Sequence, residues 1–295
     1  MNKKRDFTTA KFCSVFALFT NIFLFIIKTV AGALSNSVSV ISDALNSLTD
    51  IIASIAIMIA VKVSGKKPDA NHQFGHGRAE PVAGLIVAII TAFLGIEVVR
   101  NAVASIFSRP DVNITNFTAL VVSITLFLKL FMYFFFKTSY LKHKFHPSLK
   151  ALSIDSINDV WISILILVGF LLYQMDFHIA DSIVGIFIGL WILKSGFDVG
   201  IENSGFLMGR KPPEAIIEHI KKTALSIEGI RGVNDIFAQY VGPYVHVEVH
   251  IEVDKSLRVV EAHDLGKKVK KKVEKYKIVD RAFVHIDPRK SAKKI

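Results

Sequence analysis

The chain has 295 residues, 52% of them hydrophobic, with a formal net charge of +11 at pH 7 and a single cysteine. One cysteine, Cys13, excludes a disulfide framework and a cysteine metal cluster, and the apolar content points to a membrane protein of one or two domains. Lys and Arg cluster in loops and in the tail, which fits the cytoplasmic side of a bilayer better than a nucleic-acid surface, so no nucleic-acid partner is expected.

Lys3, Lys4 and Arg5 precede an apolar run that superficially looks like a signal peptide. The run is too long, lacks a small-residue cleavage pattern and is followed by further spans. Six segments reach the roughly 20 apolar residues that a bilayer crossing needs: 12–33, 38–63, 81–107, 117–136, 151–173 and 179–197. The loops after the first, third and fifth spans hold almost no Lys or Arg, Arg109 being the exception. The N-terminus, the loop after span 2 (Lys66, Lys67, Arg78) and the loop after span 4 (Lys137, Lys142, Lys144, Lys150) are basic. Both termini are therefore expected in the cytoplasm. Lys28, Lys62, Glu97, Arg100, Lys129 and Lys194 fall within spans; their long side chains are expected to snorkel to the interface, most of them being within about two turns of a span end. Asn21 and Asp181 fit packing and cavity lining equally.

The tail opens at Arg210-Lys-Pro-Pro, a boundary signal. An amphipathic helix is predicted over 214–226, with Ile216, Ile217, Ile220 and Leu225 as its apolar stripe, then a strand over 233–240 and a turn at Gly242-Pro243. From 244 to 254 alternation is strict. Val245, Val247, Val249, Ile251 and Val253 share one face; His246, Glu248, His250, Glu252 and Asp254 share the other, which reads as exposed. A basic helix over 260–275 and a strand over 279–287, stopped by Pro288, complete an α-β-β-α-β domain with helices on one sheet face. The fold class expected is an α-helical membrane protein with six transmembrane helices followed by a small cytoplasmic α+β domain. Its parts are a transport domain over 1–208, the soluble domain over 209–288 and a disordered basic tail over 289–295.

Two spans carry paired oxygen ligands: Asn46 and Asp50 in span 2, Asp155 and Asp159 in span 5. Four positions apart on a helix, each pair stacks on one face. A carboxylate inside a span costs on the order of 3 kcal/mol, so such pairs imply a counter-charge, a water-filled cavity or a metal. A polar network gluing two helices is the plain alternative, but three carboxylates without a basic partner on those faces repel one another. Side-chain oxygens without imidazole or thiolate suit a harder cation such as Mn²⁺, while imidazole sites suit Zn²⁺. Carboxylates that release the metal can take protons, which offers a route to exchange.

These residues carry a resemblance. The motifs Ser-Asp-Ala-Leu-Asn46-Ser-Leu-Thr-Asp50 and Asp69-Ala-Asn-His72-Gln-Phe-Gly-His76-Gly-Arg, with six spans and a soluble tail, make the chain resemble the cation diffusion facilitator family over essentially its whole length. The Asn, Asp, Asp, Asp set is similar to that of the manganese-exporting branch; zinc-transporting members have His at the first position of one or both pairs. The resemblance implies a metallochaperone-like fold for the tail and a homodimer in the bilayer that exports divalent cations in exchange for protons, the metal being substrate and no cofactor being required. It also implies a loop site at Asp69, His72 and His76, which loop packing explains equally well. A regulatory metal site at His250, His263, His285 and Asp287 is implied too, weakened by Asn234 where such members have His. Zn²⁺, Fe²⁺, Co²⁺ and Cd²⁺ stay open as substrates.

Two other classes are weighed. A membrane-embedded metalloenzyme would need imidazole support or an activated nucleophile, and spans 2 and 5 hold no His. A metal sensor anchored in the membrane would not need six spans with paired carboxylates. A bacterial plasma membrane is the location expected, from the compact chain with no targeting extension and no His-rich cytoplasmic loop.

Overall fold

The computed structural model describes residues 3–108, 111–142, 147–242 and 244–289. Arg109, Lys144, Pro243 and the tail beyond 289 lie outside the described residues. Six helices are long and apolar enough to cross a membrane: α1 (Lys3–Ser35), α2 (Val38–Ser64), α3 (Ala79–Ser108), α4 (Asn116–Lys142), α5 (Pro147–Gln174) and α6 (Ala180–Leu207). They are followed by α7 (Glu214–Leu225), β1 (Ile230–Val241), β2 (Tyr244–Val253), α8 (Val259–Val273) and β3 (Val279–Pro288). The chain divides into two compact units. One is Met1–Met58 with Gly84–Gly200; the other is Ile59–Ala83 with Ile201–Ile295.

In the first unit the spans turn large apolar side chains such as Phe19, Phe93, Phe127 and Trp161 outward, a surface suited to lipid. One core gathers Val40, Val98, Val122, Ile166, Ile188 and Ile192. A second packs Cys13 and Ala17 of α1 against Met132 and Phe136 of α4. α1 passes to α2 through Asn36 at φ 53°, a left-handed conformation that a short amide side chain tolerates. The first turn of α2 is capped from another helix. Asp181 at the start of α6 is 1% exposed, and its carboxylate accepts from Val38 N (2.7 Å), Ser39 N (3.4 Å), Ser37 Oγ (2.6 Å) and Ser39 Oγ. Backbone donors left open at a helix start are met by a buried carboxylate, which also suits the positive end of the helix dipole.

Close helix contacts rest on glycine. A Cβ at Gly95 of α3 would lie 2.7 Å from Leu193 N of α6, one at Gly189 would lie 2.9 Å from Val99 N, and one at Gly196 would lie 2.8 Å from Ala92 N. Small residues of this kind let membrane helices approach backbone to backbone.

In the second unit the sheet order is β1-β2-β3, with β1 antiparallel and β3 parallel to the central β2. The alternation in β2 sets the layering. Val245, Val247, Val249, Ile251 and Val253 are all buried, and α7 and α8 cover that face through Ile220, Ala224, Val269 and Val273. The opposite face departs from expectation at one place: His246 is buried, not exposed. The loop after α2 reaches it. Phe74 packs at a tilt against His246 (5.8 Å between centroids) and Phe283 (6.4 Å), while Arg281 lies 5.1 Å over the Phe74 ring and donates to Gln73 O at 3.0 Å. Alternation along a strand assigns a face but says nothing of a distant loop laid over it.

Burial pushes the His246 imidazole below its ordinary pKa, with Arg281 and Arg78 adding to the effect and the hydrogen-bonded Asp280 opposing it. Histidine proton NMR on the full-length protein should therefore show His246 titrating below about 6.5, and Phe74→Ala should move it back upward. An uncovered imidazole takes a proton that the covered one refuses, so the loop's hold on the sheet weakens as pH falls below that ordinary value. A His246 pKa unmoved by the Phe74 change would mean that the loop is not what desolvates it.

Candidate functional site

Consecutive spans alternate in direction, so α2 and α5 cross the membrane antiparallel. That places Asn46 level with Asp159 and Asp50 level with Asp155. Carboxylate oxygens of Asp50, Asp155 and Asp159 lie within 4.8 Å of one another. Asn46 Nδ2 donates to Asp159 Oδ1 at 2.9 Å, so all four residues predicted for the transport site meet at one place. Asp159 is 2% exposed, Asp50 and Asp155 are half-buried, and Asp50 Oδ2 has no hydrogen-bond partner among the described residues. Hard oxygen donors at this spacing fit a divalent cation, and no His or Cys belongs to the group.

The expectation that these faces lack a basic partner is overturned. Lys129, expected to snorkel, is fully buried; its Nζ is ion-paired with Asp159 Oδ2 and donates to Asn21 Oδ1 of α1 at 2.8 Å. It is the middle residue of α4 (Asn116–Lys142), and its side chain turns into the bundle and not along the helix toward an interface. Lys28, 1% exposed, is likewise turned inward: its Nζ lies 2.9 Å from Asp43 Oδ2 and donates to Ser47 Oγ at 3.1 Å. The other span charges follow expectation better. Lys62 is exposed, Arg100 pairs with Glu97 at 2.6 Å and Lys194 with Asp198 at 2.5 Å on the outer surface. Lys28 with Asp43 and Lys129 with Asn21 thus form two buried polar pairs; sequence reasoning offered Asn21 as packing or cavity lining but missed Asp43 and the inward turn of both lysines. One signal was available: the residues three and four positions from Lys129 are Thr125, Leu126, Met132 and Tyr133, none acidic, so its counter-charge had to come from another helix.

The loop after α2 brings Asp69, His72 and His76 within 4.8 Å of one another. Asp69 Oδ1 accepts from His72 N at 2.7 Å and Asn71 N at 3.0 Å, and these backbone donors, His72 first, hold its carboxyl below the ordinary carboxylate range. Asp69 Oδ2 lies 3.3 Å from His76 Nε2, and the two imidazoles stand 4.6 Å apart. Gly75, at φ 81°, permits the turn.

On the sheet, His250 pairs with His285 in the parallel register of β2 and β3, and Asp287 lies two residues further on the same face. The rings are 4.7 Å apart, and Asp287 lies 3.2 Å from His285 Nε2 and 3.8 Å from His250 Nδ1. Asn234 Nδ2 donates to Asp287 at 3.2 Å, filling the place where a further ligand was looked for. His263 does not join them: it sits on α8, and that helix packs on the opposite, apolar face of the sheet.

Residues 14–208 match the cation efflux transmembrane domain and residues 212–289 the cation efflux protein cytoplasmic domain. The chain is 34% identical over 275 residues to the uncharacterized transporter MJ0449 of Methanocaldococcus jannaschii, covering 92% of this chain and 96% of that one. It is 34% identical over 264 residues to the manganese efflux system protein MneS of Bacillus subtilis, covering 89% and 90%. Among solved structures, a nickel form of the MamM C-terminal domain is 29% identical and covers 26% of this chain and 100% of that one, with a TM-score of 0.26. The chain belongs to the cation efflux, or cation diffusion facilitator, family: it is a multi-pass membrane transporter of metal cations, not an enzyme, and its C-terminal domain is cytoplasmic.

Proposed function

We propose that this transporter exports Mn²⁺ from the cytoplasm in exchange for protons, working as a homodimer, with Asn46, Asp50, Asp155 and Asp159 holding the ion in each protomer. The observation that carries the reading is the meeting of three carboxylates and one amide, from two antiparallel spans, with no softer ligand in the group. A site for an ion at the bottom of the Irving–Williams order cannot win by affinity, so leaving out imidazole is a means of discriminating against zinc. The name of MneS agrees with that choice. With the C-terminus cytoplasmic, Asp50 and Asp155 are the members of the cluster nearer the cytoplasm, the side from which the substrate comes. Carboxylates that alternate between metal and protons supply the exchange. The clusters at Asp69, His72 and His76 and at His250, His285 and Asp287 are read as regulatory metal sites of the cytoplasmic side.

Reconstituted vesicles with an imposed proton gradient test this. Gradient-driven Mn²⁺ movement is expected from the unaltered protein, and Asn46→His should gain zinc movement by about tenfold or more through one added imidazole ligand. Zinc movement with manganese excluded would refute the substrate assignment, and Mn²⁺ movement indifferent to the gradient would refute proton exchange.

A further inference from the structure

Lys129 lies where a membrane protein has most reason to avoid a lysine, yet it is fully buried and joined to a residue of the candidate ion site. Two partners hold its ammonium: Asp159 of α5 and the amide oxygen of Asn21 on α1, the latter at 2.8 Å. Asp159 meanwhile accepts from Asn46 through its other oxygen. An ammonium and a metal ion are both cations seeking carboxylate oxygen, and Asp159 Oδ2 cannot serve both at full strength. Charge sums sharpen the point. The carboxylates of Asp50, Asp155 and Asp159 together with Lys129 carry two net negative charges when ionised, the number that one divalent cation neutralises.

We propose that Lys129 is a tethered counter-cation of the transport site: its ammonium and the divalent substrate compete for Asp159, and Asn21 retains the ammonium when Asp159 turns to the metal. This rests on the reading of Asn46, Asp50, Asp155 and Asp159 as the ion site. The carboxylates are thereby never left together without a positive charge in the low-dielectric core. A monovalent ion would neutralise only half of the remaining charge while meeting the same competitor, so the arrangement favours dications over the far more abundant monovalent ions. Release is helped too, because the ammonium is already at hand to take back the carboxylate that the metal leaves. Lys129 is on this account a positioning residue, acting on the ion through Asp159.

The test is equilibrium binding of Mn²⁺ and, separately, Zn²⁺ to the purified full-length protein in detergent, with His76→Ala and His285→Ala present throughout so that the loop and sheet clusters do not contribute. Lys129→Met should tighten binding of both ions by about tenfold or more, because a like charge beside a cation site is removed. In vesicle transport the same change should lower KM and kcat together, with rescue of both by Lys129→Arg. Asn21→Leu should act in the opposite direction, weakening binding severalfold by leaving the ammonium only Asp159. A lysine that merely supports the fold predicts weaker binding from both changes. Folded Lys129→Met protein with weaker or unchanged affinity would overturn the proposal; should that variant fail to fold, Asn21→Leu remains a test, since tighter or unchanged binding there overturns it equally. Asp159→Asn tells the two layers apart: unaltered metal binding in that variant would place the ion elsewhere and refute the site reading itself.

Discussion

Replacing Asp159 by alanine is expected to abolish metal export, by about a hundredfold or more, and to destabilise the folded protein by about 3–5 kcal/mol in the same step. The two losses have different origins. Export fails because the cluster at Asp50, Asp155 and Asp159 loses the member that both helices address, through Asn46 on one side and Lys129 on the other. Stability falls because Lys129 loses its direct ion pair and keeps only a neutral amide as hydrogen-bond partner in a fully buried position, and breaking a buried pair by removing one member costs more than the pair contributed. A second substitution separates them. Adding Lys129→Met to Asp159→Ala should restore most of the lost stability, measured as thermal unfolding in detergent, and none of the export. A double variant as unstable as the single one would show that the cost lies in the packing around Asp159 and not in the orphaned ammonium.

Asp181→Ala is expected to have the next largest effect, about 2–4 kcal/mol of stability, because one buried carboxylate satisfies two backbone donors and two hydroxyls at the start of α2. Asp181→Asn should recover roughly half, since an amide keeps one acceptor oxygen but loses the charge that favours the helix N-terminus. The consequence extends to transport. α2 carries Asn46 roughly two turns from the capped end, so a frayed first turn loosens the ligand pair facing α5. Metal affinity is therefore expected to fall in Asp181→Ala although that residue touches no ligand, and unchanged affinity with a lowered unfolding temperature would confine the cap to stability.

Periodicity and length were enough to read much of this molecule. The six spans follow from apolar runs, the strand at 244–253 from strict alternation, and the pairs at 46 and 50 and at 155 and 159 from spacing that stacks carboxylates on one face. What escaped were relations between elements. An apolar run that fades at 136 puts Lys129 within reach of an interface, yet the helix continues to Lys142 and the lysine turns into the bundle. Its partners lie on α1 and α5, and no spacing rule within one helix points to them. Asp181 was ambiguous for the same reason: the donors it serves lie on α2, far away in sequence. His263 lies apart from His250, His285 and Asp287 within one chain; a resemblance between histidine positions does not say which face of the sheet a helix covers.

The glycine contacts between α3 and α6 bear on where a metal ion's passage can find its give. At Gly95 and Gly196 the nearest neighbours are main-chain atoms of the facing helix, and at Gly189 they are the stiff, branched side chains of Val98 and Val99 beside the Val99 amide, so little there can rotate to ease one helix past the other. Such a joint moves as a welded seam. The contacts among α1, α2, α4 and α5 include, beside the apolar packing of α1 on α4, lysines and carboxylates on flexible stems that can trade partners without the helices parting. α3 and α6 are thereby the less yielding pair, a stiff spine beside the helices whose charged side chains can exchange partners. An alanine at Gly95 would wedge that spine open without touching any ligand.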